Sequence, residues 1–332
     1  MNSASALASG RPSTIAKRLI ATPSVGPLLV LLAFGVIFSL TNPRFLATQN
    51  LSIILQQTVI IGTLAIGQTL IILTAGIDLA VGATCILAML VMSNLAANNG
   101  VPGPLALLLG IAVGTLCGFI NGILVTRVKL PPFIVTLGTL SIYTAIGLMY
   151  SGGQSVARAS MPPILNVMAT RFKLGPFNLT LGLVFVALMA VVVAFILSQT
   201  AWGRHVYAVG DDIEAARLVG IRVDRVLLSV YTVAGLIYGI TAWVLIGRAG
   251  TASPNAIVDA NLETITAVVI GGTSLFGGRG GIVGTMLGAL IVYSFNIGLS
   301  LAGVDAQLRV LAIGVLIIVA VSVDQWIRKV KA

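Results

Sequence analysis

The chain has 332 residues, 58% of them hydrophobic and only 8% charged. A soluble domain carries about 25% charged residues, so the composition excludes a soluble fold and points to a polytopic membrane protein. The formal charge of +10 then fits the excess of Lys and Arg on the cytosolic side of such proteins and gives no sign of nucleic-acid binding.

Ten apolar segments follow one another at about 25–41, 51–73, 79–97, 104–125, 132–150, 179–199, 226–246, 262–275, 282–302 and 306–323. Each lies near the ~20 residues a bilayer requires, although the eighth is short and Gly271-Gly272 interrupts it, and none alternates as a strand would, which favours helices over a barrel. Residues 1–24 carry Arg11, Lys17 and Arg18 and read as a cytosolic tail. The run from Val25 to Leu40 has no small-x-small cleavage site after it, so it is expected to be a first span and not a signal peptide. Cys85 and Cys117 fall inside spans and read as small core residues. His205 is the single histidine, which removes any His-based metal site or triad; no cofactor is expected.

The fourth span carries Gly110, Gly114, Gly118 and Gly122, and the ninth Gly280, Gly284 and Gly288. Small residues every four positions let helices approach closely. Ile66-Gly67-Gln68-Thr69 is echoed by Ile270-Gly271-Gly272-Thr273, which suggests an inverted repeat of five-span halves. The connection 151–178 contains Gly152-Gly153 and Met161-Pro162-Pro163 and is expected to be an irregular, part-helical outer loop.

Orientation follows from the basic residues. With the amino terminus inside, the inner connections hold Arg127, Lys129, Arg204, Arg217, Arg222, Arg225 and Arg279, and the tail 324–332 holds Arg328, Lys329 and Lys331. The outer connections hold fewer: Arg44, Arg158, Arg171, Lys173 and Arg248. An even span count places both termini in the cytosol, around a single transmembrane domain over 25–323.

Residues 201–226 form an island of charge: Arg204, Asp211, Asp212, Glu214, Arg217, Arg222, Asp224 and Arg225. Flanked by spans, it must lie in water. Asp211 and Glu214 make a D-x-x-E pattern suited to opening a helix, and Gly220 is a natural stop. A helix over 211–220 is too short to stand alone and needs a partner surface or its flanking spans.

Glu214-Ala215-Ala216-Arg217-Leu218-Val219-Gly220 resembles the E-A-A-x-x-x-G element of bacterial ABC importer permeases. Thr232-Val233 stands where that family's later Leu-Pro would fall, which turns expectation away from the ordinary type I importer fold. Gly67-Gln68-Thr69-Leu70-Ile71-Ile72-Leu73-Thr74-Ala75-Gly76-Ile77-Asp78-Leu79-Ala80-Val81-Gly82 is similar to a segment shared by ribose, xylose, arabinose and fructose permeases. So are Asn121-Gly122, Pro132-Phe133-Ile134-Val135-Thr136-Leu137-Gly138 and Ala267-Val268-Val269-Ile270-Gly271-Gly272-Thr273-Ser274-Leu275-Phe276-Gly277-Gly278. The resemblance covers about residues 45–325. It implies an all-α, type II-importer-like fold of about ten spans in the bacterial inner membrane. It also implies a dimer with a second permease copy, a two-domain ATPase and a periplasmic sugar-binding protein. The element 211–220 would be the helix that docks on the ATPase, involving Asp211, Asp212, Glu214, Ala215, Ala216, Arg217 and Gly220.

The chain has no Gly-Lys dipeptide, so it lacks the P-loop needed to hydrolyse ATP itself. Gln56, Gln57, Gln68, Thr69, Asn121, Thr136, Thr139 and Asn296 are the candidates for a polar pathway, because amides and hydroxyls both donate and accept hydrogen bonds. Asp78 and Arg279 sit at inner turns. Asp78 is expected to cap the third span or to serve as a gate or ATPase contact, and Arg279 to face lipid headgroups or the ATPase. Glu263 and Arg309 are expected to pair near the outer surface. Rival readings are a nucleoside, amino-acid or signalling-sugar permease of the same family, or an ion-coupled secondary carrier.

Overall fold

The computed structural model describes residues 25–331, so the tail expected over 1–24 lies outside the described residues. Each expected apolar segment coincides with a helix: α1 (Val25–Thr41), α2 (Thr48–Leu73), α3 (Val81–Ala97), α4 (Gly103–Thr126), α5 (Pro132–Ser151) and α6 (Leu181–Gln199). After the island come α9 (Val223–Ala249), α10 (Ala260–Ile270), α11 (Ile282–Leu301) and α12 (Ala306–Lys331); the island itself forms α7 (Ala201–Asp211) and α8 (Ile213–Leu218). By length and hydropathy six of these, α2, α4, α5, α6, α9 and α11, are long enough to cross a membrane. The segment expected at 262–275 is helical only to Ile270, because Gly272 takes φ +83° and turns the chain out of the helix. With 11 residues α10 rises about 16 Å, half of a ~30 Å hydrocarbon core. At the carboxyl terminus α12 runs on to Lys331, through the residues expected to form the inner tail.

Two helices form the centre. Every residue of α2 from Thr58 to Leu73 is buried, as expected of a helix that is apolar all round. Its neighbour α9 packs along α4 through glycines on both sides. A Cβ at Gly118 would overlap the Tyr231 carbonyl oxygen, and one at Gly114 would lie 2.7 Å from the Gly239 Cα. The second ladder packs α11 on α10, where Gly288 faces the Ala267 carbonyl and Gly284 that of Gly271. The first ladder, and Gly284 and Gly288 of the second, are therefore sites of close helix contact, whereas Gly280 lies ahead of α11, against Thr273. Peripheral α6 turns Leu188, Val191 and Phe195 outward, as a lipid-facing helix does.

The echoed tetrapeptides occupy different settings, since 66–69 lies within α2 while 270–273 ends α10 and enters the connection beyond it. At one end of the bundle β1 (Val156–Ala157) pairs with β4 (Thr251–Ala252), and β2 (Arg171–Leu174) with β3 (Phe177–Thr180), both antiparallel. The connection expected to be irregular thus contains a hairpin. The island and the connections 74–80 and 271–281 gather at the opposite end.

Candidate functional site

The island is built from two helices in place of the single one expected. Thr200 caps α7, its Oγ1 accepting from the Gly203 N–H at 3.2 Å. The face of α7 that carries Gly203, Val206, Val209 and Gly210 is buried. At Gly210 the chain touches the body backbone to backbone: a Cβ there would overlap the Leu73 carbonyl oxygen and lie 2.7 Å from the Gly278 nitrogen. The Gly278 N–H in turn donates to the Leu73 carbonyl at 3.0 Å, and the Tyr207 hydroxyl donates to the Gly280 carbonyl at 2.9 Å. A Cβ at Gly277, whose φ is +85°, would lie 2.5 Å from the Gly210 carbonyl oxygen. The end of α2, the end of α7 and the connection 271–281 thus meet at one junction, main chain against main chain at Gly210, with the Tyr207 side chain bridging beside it.

Asp212 interrupts the helix with an extended backbone, φ −154°. Its Oδ1 accepts from the N–H groups of Glu214 at 2.9 Å and Ala215 at 3.0 Å. This corrects the expectation for Asp211, which is the last residue of α7; the cap belongs to the residue whose extended backbone points its carboxylate at the free N–H groups. Glu214 does not close a capping box. It pairs with Arg217 at 2.7 Å, an exposed contact worth ~0–1 kcal/mol. Ala216 is buried and pins α8 to the body, while Leu218 and Val219 are 88% and 76% exposed. Gly220, at φ +86°, ends the helix as expected.

Near the far end of the bundle, Gln57 lines a cavity of about 420 Å³ together with Arg248, Asp259, Glu263 and Tyr293.

A family model described as the permease component of branched-chain amino acid transport systems matches residues 50–321. The chain belongs to this permease family. It is 48% identical to a fructose import permease of Rhizobium meliloti over 95% of this chain and 88% of that protein. It is 37% identical to a ribose import permease of Bacillus subtilis (strain 168) over 91% and 92%. It is also 33% identical to a D-allose transport system permease of Escherichia coli (strain K12), over 92% of each chain. No solved structure matches. With six membrane-capable helices, the permease is a multi-pass inner-membrane protein.

The remaining candidates of the permease do not share one site. Asp78 is 2% exposed and does not cap α3, whose first residue is Val81; its Oδ1 accepts from the Ala80 N–H at 2.7 Å. The connection 74–80 folds inward, held by the Thr136 hydroxyl on the Ile77 carbonyl at 3.0 Å. Burial pushes the Asp78 carboxyl up to about 6, although the Ala80 N–H and the Tyr238 hydroxyl favour the anion. Gln68 accepts from Tyr238 at 3.4 Å, and its Nε2 has no partner; Tyr231 Oη has none either. Thr69 meets Thr285 at 2.7 Å, joining α2 to α11. Asn121 accepts from Tyr143 at 3.2 Å, Thr139 bonds back to the Thr136 carbonyl, and Gln56 donates to the Asn178 carbonyl at 3.1 Å.

Glu263 and Arg309 do not pair: Tyr293 donates to Glu263 at 3.0 Å, and Arg309 donates to Asn296 at 3.0 Å. Asn296 is thereby engaged in holding α12 to α11. The Arg279 side chain is exposed, and its carbonyl accepts from the Ser274 N–H at 2.9 Å. The junction at Gly210 and the inward fold of Asp78 have no clear signature in the sequence. The glycine run 277–281 is the one feature that hints at a close backbone approach.

Proposed function

We propose that this permease is the membrane subunit of an ATP-driven importer of a monosaccharide, and that α7 and α8 form its link to the ATPase. The fructose, ribose and allose permeases named above support the substrate class. The observation that carries the coupling role is the Gly210 junction. An exposed element bearing Leu218 and Val219 follows directly on α7, whose end meets the end of α2 and the connection 271–281 backbone to backbone at Gly210, so a push on α8 reaches the core through a close main-chain contact.

In this reading the island end is cytosolic, with both termini on that side and the chain crossing ten times. Leu218 and Val219 enter a groove on a two-domain ATPase. Closure of the ATPase moves α8 and α7 and, through Gly210, the end of α2 and the connection between α10 and α11. Arg279 faces the same partner or anionic lipid. The hairpin end is periplasmic and receives a sugar-binding protein, and a second permease copy completes the assembly. ATP hydrolysis belongs to the ATPase, because this chain has no Gly-Lys dipeptide.

The test uses Glu214→Arg and Gly220→Pro. Both variants are expected to insert in the membrane at normal yield, to lose sugar uptake and to fail to co-purify with the ATPase. Normal uptake by both would sink the coupling role.

A further inference from the structure

We infer that the cavity beside Gln57 is a binding site for a neutral polyol, through which the sugar passes after release from the binding protein. The inference rests on the importer reading for its direction of travel, and on the cavity itself for its chemistry.

The cavity lies between α2, α9, α10 and α11 at the hairpin end, and its volume of about 420 Å³ is toward the small end of the ~300–1,000 Å³ usual for ligand pockets. Its polar groups differ in kind. Gln57 offers an amide, Arg248 a guanidinium, Asp259 and Glu263 carboxylates, and Tyr293 a hydroxyl. Two of them are already oriented by the protein. Arg248 Nε donates to the Gln56 carbonyl at 3.3 Å, and Tyr293 donates to Glu263 Oε2 at 3.0 Å. The guanidinium is thus fixed at one nitrogen with the others left over, and Glu263 keeps its second oxygen.

Two carboxylates disfavour an anion, while the carboxylates call for donors and the Arg248 guanidinium for an acceptor. A neutral molecule with several hydroxyls satisfies both, since each hydroxyl donates to a carboxylate and accepts from the amide or the guanidinium. The floor is apolar: Ile60, Ile61 and Leu245 are 8%, 2% and 2% exposed. It matches the C–H face of a sugar ring and closes the cavity toward the other end of the bundle. Asp259 is exposed and Gln57 half-buried, so the site opens toward the hairpin end.

Two experiments test the inference. In the first, Gln57→Cys permease in right-side-out vesicles is labelled with a membrane-impermeant maleimide. The native Cys85 and Cys117 are buried and contribute little background. D-ribose or D-fructose at twice its dissociation constant should slow labelling roughly threefold, and D-gluconate, an acid of similar size, should not. Equal rates with and without sugar, or equal protection by gluconate, would overturn the site.

In the second, the intact importer with its binding protein is placed in proteoliposomes. Glu263→Gln and Asp259→Asn should each lower the sugar moved per ATP roughly fivefold, as expected for losing one charge-assisted hydrogen bond. An unaltered ratio of sugar to ATP in both variants would also overturn the site. The labelling experiment needs no ATPase. Protection by sugar in a permease without ATP-driven uptake would retain the site and remove the importer reading.

Discussion

The two ends of the permease are built on opposite principles. At the island end, α7, α2 and the connection 271–281 meet through main chain, and a Cβ at Gly210 would overlap the Leu73 carbonyl oxygen. At the hairpin end, α2, α9, α10 and α11 part around a cavity whose wall is side chain. The main-chain contact at Gly210 carries displacement with little loss, because no rotamer change can relieve it there. A side-chain wall can match a ligand and release it. The contrast suits a machine that receives force at one end and cargo at the other, and it predicts how each region responds to substitution.

The largest effect is expected at the junction. Gly210→Ala adds one methyl group where no space exists. Overpacking costs about 1–3 kcal/mol and more when backbone must move, so α7 should lift from α2. Uptake should fall below detection, with permease still recovered from membranes; uptake assays and detergent-extracted yield check this. If Gly210→Ala transports normally, the junction is not rigid and the contrast fails.

The next effect separates the island's own stability from its connection. Asp212→Ala removes the cap of α8, a loss of about 0.5–2 kcal/mol, confined to a six-residue helix. Binding-protein-stimulated ATPase activity should fall several-fold while the thermal midpoint of the permease is unchanged. Asp212→Asn should restore activity, since asparagine caps as well as aspartate. A drop in both activity and midpoint would mean that α8 helps hold the body together.

What was legible in the sequence follows the same division. Each of the ten apolar runs contains a helix, because sustained hydropathy has few other solutions in a bilayer, but six are long and apolar enough to cross one and the run 262–275 breaks after Ile270. Gly220 as a stop and the glycine ladders as packing stripes are local rules, and they held. The errors arose where the answer depended on a distant partner. Nothing near Gly210 names Leu73, and nothing near Glu263 prefers Tyr293 to Arg309. The cap fell on Asp212 and not Asp211 because one residue's φ decided between two adjacent carboxylates. Of the polar candidates only Gln57 reaches the cavity between α2, α9, α10 and α11; Asn296 and Thr69 hold helices together, the commoner fate of polar groups within spans.

Asp78, in the connection 74–80 at the island end, offers a further test. Its carboxyl is pushed up to about 6 by burial, whereas the unfolded chain titrates near ~3.9. The folded permease therefore holds the proton more tightly than the unfolded chain. This contribution is fully present below the unfolded value and is lost as pH rises through about 6. The wild-type thermal midpoint should fall by a few degrees between mildly acidic and neutral pH. Asp78→Asn, which keeps an acceptor for the Ala80 N–H, should flatten that slope. An unchanged slope in the variant would assign the pH dependence to another group.

The smallest effect is expected where a glycine has no close neighbour. Gly138 lies on α5, and a methyl group added to it would meet nothing within 4 Å, among exposed Ile134, Leu137 and Ile142. It belongs to the segment 132–138 that resembles the sugar permeases, yet in a single chain it packs against nothing. Gly138→Ala should leave uptake unchanged and raise stability by about 0.5–1 kcal/mol through helix propensity alone. Lost uptake with a normal thermal midpoint would carry a different message. It would mean that this face of α5 is covered in the assembled importer, with a close helix approach of the Gly210 kind supplied by the second copy.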